Sequence, residues 1–292
     1  MNAWRKRFVA EVLKYINQVG TPDIIHAHTY LGGWVAAKIK EQTGAPYIIT
    51  EHSTQVLDDC LSPTHRHIAT ETYRNADSVI AVGQGLASII QANYNVSVQV
   101  IPNFIDIGLF KPVDTAFKPD HKLRLIAIGD LIERKQVDKL IQACAELTVD
   151  YHLSIIGEGP EKTKLKKLAQ SLHVNHSFLG RLSQQEISQE LNQSHILVHT
   201  SRTETFGIII VEAMAKGLPV ISFSNGGAED IITDAVGLLL MDHSTSAITQ
   251  AIGIMQARYN EYQPSEIRQV VLDRFSPKVI AERLYHLYES LT

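Results

Sequence analysis

The stretch HILVHTSRTETFGIIIVEAMAKGLPVI, residues 195–221, has the pattern of a buried strand that turns directly into a helix. Residues 195–201 are rich in apolar and β-branched side chains, which favours a strand. The next apolar run predicts a helix over residues 208–216, and Gly217 followed by Pro219 marks its end. Strand-turn-helix units of this kind build parallel sheets.

The same alternation extends along the chain in both directions. Short β-branched runs alternate with longer segments of helical period, which is typical of parallel sheets joined by right-handed crossovers. The predicted strands are Ile24–His28, Tyr47–Thr50, Ser78–Val82, Val98–Ile101, Arg124–Gly129, Tyr151–Gly157, Ser177–Gly180, His195–Ser201, Pro219–Phe223 and Gly237–Met241. Between the fourth and fifth strands, Pro102–Pro119 holds three of the ten prolines and no clear period, so it is predicted to connect two domains.

We therefore predict an α/β fold with two Rossmann-like domains built on parallel sheets. The first domain is expected over residues 1–110, and the second over residues 111–275. A C-terminal helix, residues 276–292, is expected to pack back towards the first domain. Only the second domain contains enough strands for a near-complete doubly wound sheet.

The composition limits the classes of function. With 27 basic and 31 acidic residues the chain has no general attraction for a polyanion, which argues against a nucleic-acid partner. The two cysteines, Cys60 and Cys144, have no spacing typical of a disulfide framework or a metal knuckle. No signal peptide or membrane span is predicted. A reducing, cytoplasmic setting fits these features.

Two turns of the predicted second sheet could hold a phosphate. In IIGEGP, residues 155–160, the third glycine of a dinucleotide fingerprint is replaced by Lys162, so a tight strand-to-helix turn is favoured. The turn before the helix that begins at residue 208 is the better candidate for a phosphate site, because free amides and the helix dipole favour an anion there. Glu204 precedes this helix, and Glu212 lies within it among apolar residues. A charge in such surroundings is unfavourable unless a charged or hydrogen-bonding group pairs with it.

The segment ETFGIIIVEAMAKGLPVI resembles the E-x7-E segment of family 4 glycosyltransferases, which adopt the two-domain GT-B fold. Further landmarks in the order of that family cover nearly the whole chain: PDIIHAH, ITEHS, IPNFID, Lys135, IIGEGP, FLGRL, TSRTETFG, SNGGAEDII and RFSPKVIAERLYHLY. The resemblance implies a retaining transfer of sugar from a nucleoside-diphosphate-sugar to an acceptor hydroxyl. A glycosidase mechanism fits poorly, since Glu212 lies inside an apolar helix.

The resemblance also implies a role for each site residue. Glu212 would accept hydrogen bonds from the ribose, and Glu204 would contact hydroxyls of the donated sugar. His52 would face the sugar from the first domain. The resemblance also implies that Lys135 adds a positive charge, that Arg181 borders the nucleobase, and that the amides of Phe206, Gly207 and Ile208 point at the diphosphate. Arg134, Gly157 and Thr205 are predicted as further donor-binding residues. The family needs no metal, so these groups would stabilise the leaving diphosphate.

Two local departures from the family pattern weaken the expectation of full activity. Asp130 stands where a diphosphate-facing arginine is usual, and Gln136 replaces the glycine after Lys135. Arg134 could substitute for the missing cation, or it could form a solvated surface pair with Glu133. The alternative function is a catalytically impaired nucleotide-sugar-binding partner or a truncated relic of such an enzyme.

The first domain is expected to be incomplete, because PDIIHAH resembles the fourth strand region of the family. Four strands would leave an exposed edge, which a second chain could complete. The acceptor is expected to be a polysaccharide, a lipid-linked glycan or a small glycoside; the sugar and the base stay open.

Two weaker candidates lie near the start of the chain. His26 and His28 share a strand end, but no third metal ligand follows at a fitting spacing, so a structural placement is favoured. A basic cluster of Arg5, Lys6, Arg7 and Lys14 beside apolar side chains such as Trp4 could make a peripheral contact with the inner face of a membrane. A helix that covers the sheet is the favoured interpretation.

Overall fold

The computed structural model describes residues 3–112 and 122–292. These residues form two compact units. The first unit contains the residues up to Asn103 together with Ile280–Thr292, and the second contains Phe104–Val279. Residues 113–119 of the predicted connection lie outside the described residues.

The first unit is built on a parallel sheet whose strands, within the described residues, follow the order β1-β2-β3-β4. The strands are β1 Ile25–His28, β2 Tyr47–Glu51, β3 Ser78–Ala81 and β4 Gln99–Val100, and the helices before and between them are α1 Ala3–Val19, α2 Thr29–Thr43, α3 Thr54–Leu57, α4 Pro63–Asn75 and α5 Gln84–Tyr94. The residues of β2 are buried on both faces, which explains the uninterrupted apolar run YII in its sequence.

Helix α1 covers part of this unit with one face and leaves another apolar side exposed. Val9 and Ile16 are buried, whereas Phe8, Tyr15 and Val19 are each more than half exposed. The side chains of Trp4 and Arg5 lie outside the described residues, and the predicted membrane contact of this helix stays a prediction. No helix in the described part of the chain is long and apolar enough to cross a membrane.

The second unit has a parallel sheet with the strand order β10-β9-β8-β5-β6-β7 over the residues described. Its strands are β5 Leu123–Ile128, β6 Tyr151–Ile156, β7 His176–Gly180, β8 Ile196–His199, β9 Val220–Phe223 and β10 Gly237–Leu240, and its helices are α6 Val137–Ala145, α7 Lys162–Ser171, α8 Gln184–Asn192, α9 Ile208–Ala215, α10 Thr245–Ala257 and α11 Pro264–Phe275. From β5 the chain adds strands in one direction, and from β8 it adds them in the other. The topological switch point therefore lies between β5 and β8.

The last helix, α12 Pro277–Glu289, belongs mainly to the first unit. Its buried residues Ile280 and Leu287 pack with Ile48, Ile80 and Ile101 of the first sheet and its edge. Full burial of each such side chain contributes about 1.5–3 kcal/mol, so this contact is a substantial part of the core of the unit.

The α/β architecture with two parallel sheets confirms the predicted fold class. The ten predicted strands are all present, and they differ from the prediction only at their ends. The largest difference is at β8, which stops at His199 rather than residue 201. Thr200 lies beyond the last residue paired with β9, and its hydroxyl donates to the carbonyl of Lys135. Cys60 and Cys144 are both free thiols.

Candidate functional site

A pocket of about 340 Å³ opens at the carboxyl ends of β5 and β8, at the switch point of the second sheet. Open parallel sheets bind ligands at this position, and the volume lies at the small end of the range for ligand sites. The predicted site residues that line it are Arg134, Lys135, Gly157, Arg181, Glu204, Gly207, Ile208 and Glu212. Eight of the eleven predicted residues therefore come together within one unit.

The other three predicted residues have different places. Thr205 and Phe206 belong to the turn before α9 but do not line the pocket. Phe206 is buried with its ring 5.6 Å from that of Phe275, so its side chain anchors the turn. His52 follows β2 in the first unit.

A 3-10 turn, Glu133–Lys135, brings the two basic residues to the loop that follows β8. Besides the bond from Thr200 to Lys135, the amide of Arg202 donates to the carbonyl of Arg134 at 2.9 Å. These backbone contacts tie the turn to the loop. They explain why Arg134 and Lys135, about seventy residues before Glu204 in the chain, lie beside it.

Glu204 lies at the centre of a cluster of nitrogen atoms. Lys135 Nζ donates to its Oε1, His199 Nε2 lies 3.3 Å from the same oxygen, and Arg134 Nη1 lies 3.8 Å away. Burial by itself would raise the pKa of this carboxyl, but His199 and the Lys135 ammonium outweigh it and hold the pKa well below its usual range. Glu204 is therefore an acceptor of hydrogen bonds at neutral pH.

His199 also lines the pocket, although it was not among the site residues predicted from the sequence. It is only 4% exposed, and burial lowers the pKa of its imidazole, although Glu204 acts in the opposite direction. A neutral ring fits this position. The sequence signal was a polar residue at the carboxyl end of a buried strand, directly beside the switch point.

Glu212 lies on α9 and is only 8% exposed. Burial raises the pKa of its carboxyl to about 7. No hydrogen bond or ion pair joins its side chain to another residue in the described ranges 3–112 and 122–292. A buried carboxyl that lines a pocket without a protein partner is suited to hydrogen bonding with a ligand.

The N-terminus of α9 faces the same pocket. Gly207, which precedes the helix, has a φ of 95°, a left-handed conformation that favours glycine. The Ile210 amide donates to the carbonyl of Gly207, whereas the amides of Ile208 and Ile209 precede the first helical bond, and the helix dipole adds positive potential. An anion is therefore favoured at the pocket end of α9.

The IIGEGP turn supports the pocket through backbone packing. A Cβ atom on Gly157 would lie 1.9 Å from the carbonyl oxygen of Gly129. Only glycine fits here, because any side chain would clash with this backbone oxygen. Gly159 packs in the same way against the carbonyl of Leu131. These contacts agree with the interpretation of this segment as a tight turn, and they bring Gly157 and Glu158 to the pocket wall.

The two local departures from the family pattern both have structural consequences. Asp130 is exposed and lines the pocket, so its charge faces any anion bound there. Gln136 has a φ of 48°, a left-handed conformation, and its Oε1 is buried without a partner among the described residues. Arg134 does not project into solvent with Glu133, because its guanidinium donates to the carbonyl of Thr203.

In the first unit, His52 lies next to His28, with 2.9 Å between His52 Nε2 and His28 Nδ1. Burial, and then the neighbouring His28, lower the pKa of His52. The nitrogens of His26 contact Thr50 and Tyr288, in agreement with a structural placement for that residue. Within the described residues, no group of three or more His, Cys, Asp or Glu side chains could hold a metal ion.

Two family models match the chain. The model described as "Glycosyl transferases group 1" matches residues 114–261, and the model described as "Glycosyltransferase Family 4" matches residues 1–109. The first of these alone covers half of the chain.

Curated relatives agree with these matches. A human phosphatidylinositol N-acetylglucosaminyltransferase protein is 26% identical, in an alignment that covers 96% of this chain and 60% of that protein. The N-acetyl-alpha-D-glucosaminyl L-malate synthase of Bacillus anthracis is also 26% identical, over 91% of this chain and 74% of that protein. The chain thus spans about 60% of the length of its human relative.

Solved structures show the same fold. Sucrose-phosphate synthase from Thermosynechococcus elongatus has a TM-score of 0.88 at 24% identity, covering 98% of this chain and 77% of that one. HepE of Anabaena in complex with UDP has a TM-score of 0.85 at 22% identity, covering 97% and 82%.

Proposed function

Because the chain belongs to the group 1, family 4 glycosyltransferases, we propose that it transfers a sugar, with retention of configuration, from a nucleoside-diphosphate-sugar to an acceptor hydroxyl. One observation carries this proposal: Lys135, Glu204, Glu212 and the N-terminus of α9 surround one pocket at the switch point of the second sheet. This pocket combines anion-binding groups with buried carboxylates that can accept hydrogen bonds from hydroxyls.

The donor would bind with its chemical groups matched to those of the pocket. The Glu212 carboxylate accepts hydrogen bonds from the ribose, Lys135 and the first amides of α9 hold the diphosphate, and Glu204 accepts from hydroxyls of the sugar. The UDP bound to HepE supports a nucleoside diphosphate as the shared part of the donor. The acceptor is a polysaccharide, a lipid-linked glycan or a small glycoside.

In this proposal the protein stabilises the departing diphosphate with fixed groups and needs no metal. The bond between the anomeric carbon and the phosphate oxygen breaks, and the charge that develops on the diphosphate meets the Lys135 ammonium and the helix amides. The acceptor oxygen then bonds to the anomeric carbon on the face that the leaving group vacates, and its proton leaves with the diphosphate. Arg134 supplies a second positive charge nearby.

A donor-consumption assay tests the proposal. Nucleoside-diphosphate sugars with α-linked glucose, N-acetylglucosamine, galactose and mannose are incubated with the protein and mixed acceptors in EDTA, and the anomeric protons are followed by NMR. We expect one donor to be consumed and an α-linked product to form, and we expect Glu204→Gln to slow this reaction. A β-linked product would rule out retention, and a reaction that requires added Mg²⁺ or Mn²⁺ would rule out metal independence.

Asp130 favours a second candidate function, a nucleotide-sugar-binding partner with impaired activity. Its carboxylate lines the pocket, and a negative charge there opposes a diphosphate. Saturable binding of a nucleotide sugar without consumption of any donor in the same assay would favour this alternative over the transferase.

A further inference from the structure

Glu51, the last residue of β2, is a fully buried carboxylate whose two oxygens each accept two hydrogen bonds. Oε1 accepts from the amides of His52 and Ser53, both at 2.8 Å. Oε2 accepts from the amide of Tyr30 at 2.8 Å and from the hydroxyl of Tyr73 at 2.5 Å. The residue has no measurable exposure, so its charge depends on these four donors.

The three amide donors belong to two different turns, whereas Tyr73 lies on α4. Tyr30 lies in the first turn of α2, directly after β1, and the side chain of His28 does not cap this helix. His52 and Ser53 lie directly before α3, which also lacks a side-chain cap. Glu51 thus satisfies amides at the start of both helices, as an N-cap residue would.

The turn after β1 is strained. Thr29 has a φ of 61°, a left-handed conformation that is rare for a β-branched residue. Such strain persists only where surrounding contacts hold it, and the bond from the next amide, that of Tyr30, to Glu51 is one such contact. This strained turn begins directly after His28, the last residue of β1, which lies beside His52.

The two histidine rings meet through one hydrogen bond. His28 Nδ1 and His52 Nε2 are 2.9 Å apart, so the two nitrogens share one proton, and one ring donates while the other accepts. The ring of His26 also stacks on that of His28, with 5.0 Å between centroids. The orientation of His52 therefore depends on where the turn after β1 holds His28.

We propose that Glu51 is a positioning residue that holds the turns after β1 and β2 together and thereby fixes the ring of His52 against His28. Only the effect on activity rests on the proposed function, with His52 in the role that the family resemblance implies; the positioning itself concerns the protein alone. Both oxygens of Glu51 are occupied by donors, and the two turns depend on different oxygens, so a side chain that offers only one accepting oxygen cannot hold both.

The test compares Glu51→Gln with Tyr73→Phe in the full chain. The glutamine is isosteric, but its amide nitrogen must face two donors and leaves at least one backbone amide unpaired. Tyr73→Phe removes one donor and leaves all three backbone bonds in place. Two-dimensional NMR of the imidazole nitrogens reports which nitrogen of His52 is hydrogen-bonded.

We expect the wild-type protein and Tyr73→Phe to share one His52 signature, with Nε2 in a hydrogen bond, and Glu51→Gln to lose it. An unchanged signature in folded Glu51→Gln would overturn the proposal. If that variant does not fold, the rates of amide hydrogen exchange in the wild-type protein test the proposal instead. The amides of Tyr30, His52 and Ser53 should be protected from exchange, and all three should exchange at the same rate. Exchange of the His52 and Ser53 amides as fast as in an unstructured peptide would contradict the proposal.

Activity provides the second readout. Glu51→Gln should lower kcat by about tenfold or more, because small misplacements of reacting groups have large effects on rate, while the KM of the donor stays within about twofold. An altered NMR signature with unchanged kcat would leave the positioning intact and remove His52 from the reaction. A purely structural role for Glu51 would lower stability without changing the NMR signature or the kcat of the folded fraction, and that result would overturn the proposal.

Discussion

Lys135 and Glu204 form an ion pair inside the pocket of the second unit, with the ammonium of Lys135 donating to Oε1 of Glu204. Both side chains are largely buried, with 16% and 14% exposure. In the proposed reaction Lys135 holds the diphosphate and Glu204 holds the sugar. Each residue therefore supplies the counter-charge of the other before the donor arrives.

This pairing predicts that the two residues are energetically coupled. Lys135→Ala should destabilise the protein by about 1–3 kcal/mol more in the wild-type background than in Glu204→Gln, because it leaves a buried carboxylate without the ammonium that donates to it. Urea unfolding of the four proteins measures the coupling. The more exposed pair Lys162 and Glu158 is the control and should show at most about 0.5 kcal/mol. Additive effects at Lys135 and Glu204 would contradict the prediction.

The raised pKa of Glu212 predicts a pH-dependent loss of stability. The folded protein keeps this proton up to about pH 7, whereas the unfolded chain releases it near 4.5. Stability from this group is thus complete below about pH 4.5 and is lost as the pH rises towards 7. Glu212→Gln should therefore gain up to about 3 kcal/mol relative to wild type between pH 5 and pH 8. Equal thermal unfolding curves for the two proteins at pH 8, after equal curves at pH 5, would contradict this.

The backbone conformation and the buried side-chain oxygen of Gln136 predict that glycine at this position would stabilise the protein. Its left-handed backbone and buried unpaired oxygen each cost free energy, so Gln136→Gly should stabilise the protein by about 1 kcal/mol after allowing for the flexibility of glycine in the unfolded chain. Gln136→Ala separates the two effects, because it removes the oxygen and keeps the strain. The melting temperature of the glycine variant should exceed that of the alanine variant, and the reverse order would be inconsistent with strain at this position.

Asp130 predicts a gain of affinity on removal of its charge. Asp130→Asn should bind a nucleoside diphosphate about fivefold more tightly, since a carboxylate at the pocket wall repels the phosphates. Glu133→Gln is the control, because Glu133 carries the same charge nearby but does not line the pocket. Calorimetry with UDP and GDP measures both variants. Unchanged affinity in Asp130→Asn would place the diphosphate away from this wall.

The sequence predicted most of the fold because parallel sheets bury both faces of their strands. Uninterrupted apolar runs such as residues 47–49 and 196–198 can therefore be recognised in a single sequence. Glu204 and Glu212 were predictable as pocket residues, since one short segment carries both the strand end and the helix start. Contacts across long sequence separations were not predictable. The role of Glu51 depends on Tyr30 and Tyr73, which lie on other helices, so no local pattern reveals it. His199 contacts Glu204 only five residues further along the chain, and its place at the end of a buried strand was the one local signal.

In the proposed function a nucleoside diphosphate binds in the pocket of the second unit with its ribose on Glu212. Calorimetric titration of UDP and GDP at pH 8, where this carboxyl is ionised, measures that binding. We expect one of the two nucleotides to bind the wild-type protein, and Glu212→Ala to weaken binding by about 1.5–3 kcal/mol for each lost charge-assisted bond. Glu266→Ala, at an exposed position of α11, should bind like wild type. Equal affinity in wild type and Glu212→Ala would contradict this placement of the ribose.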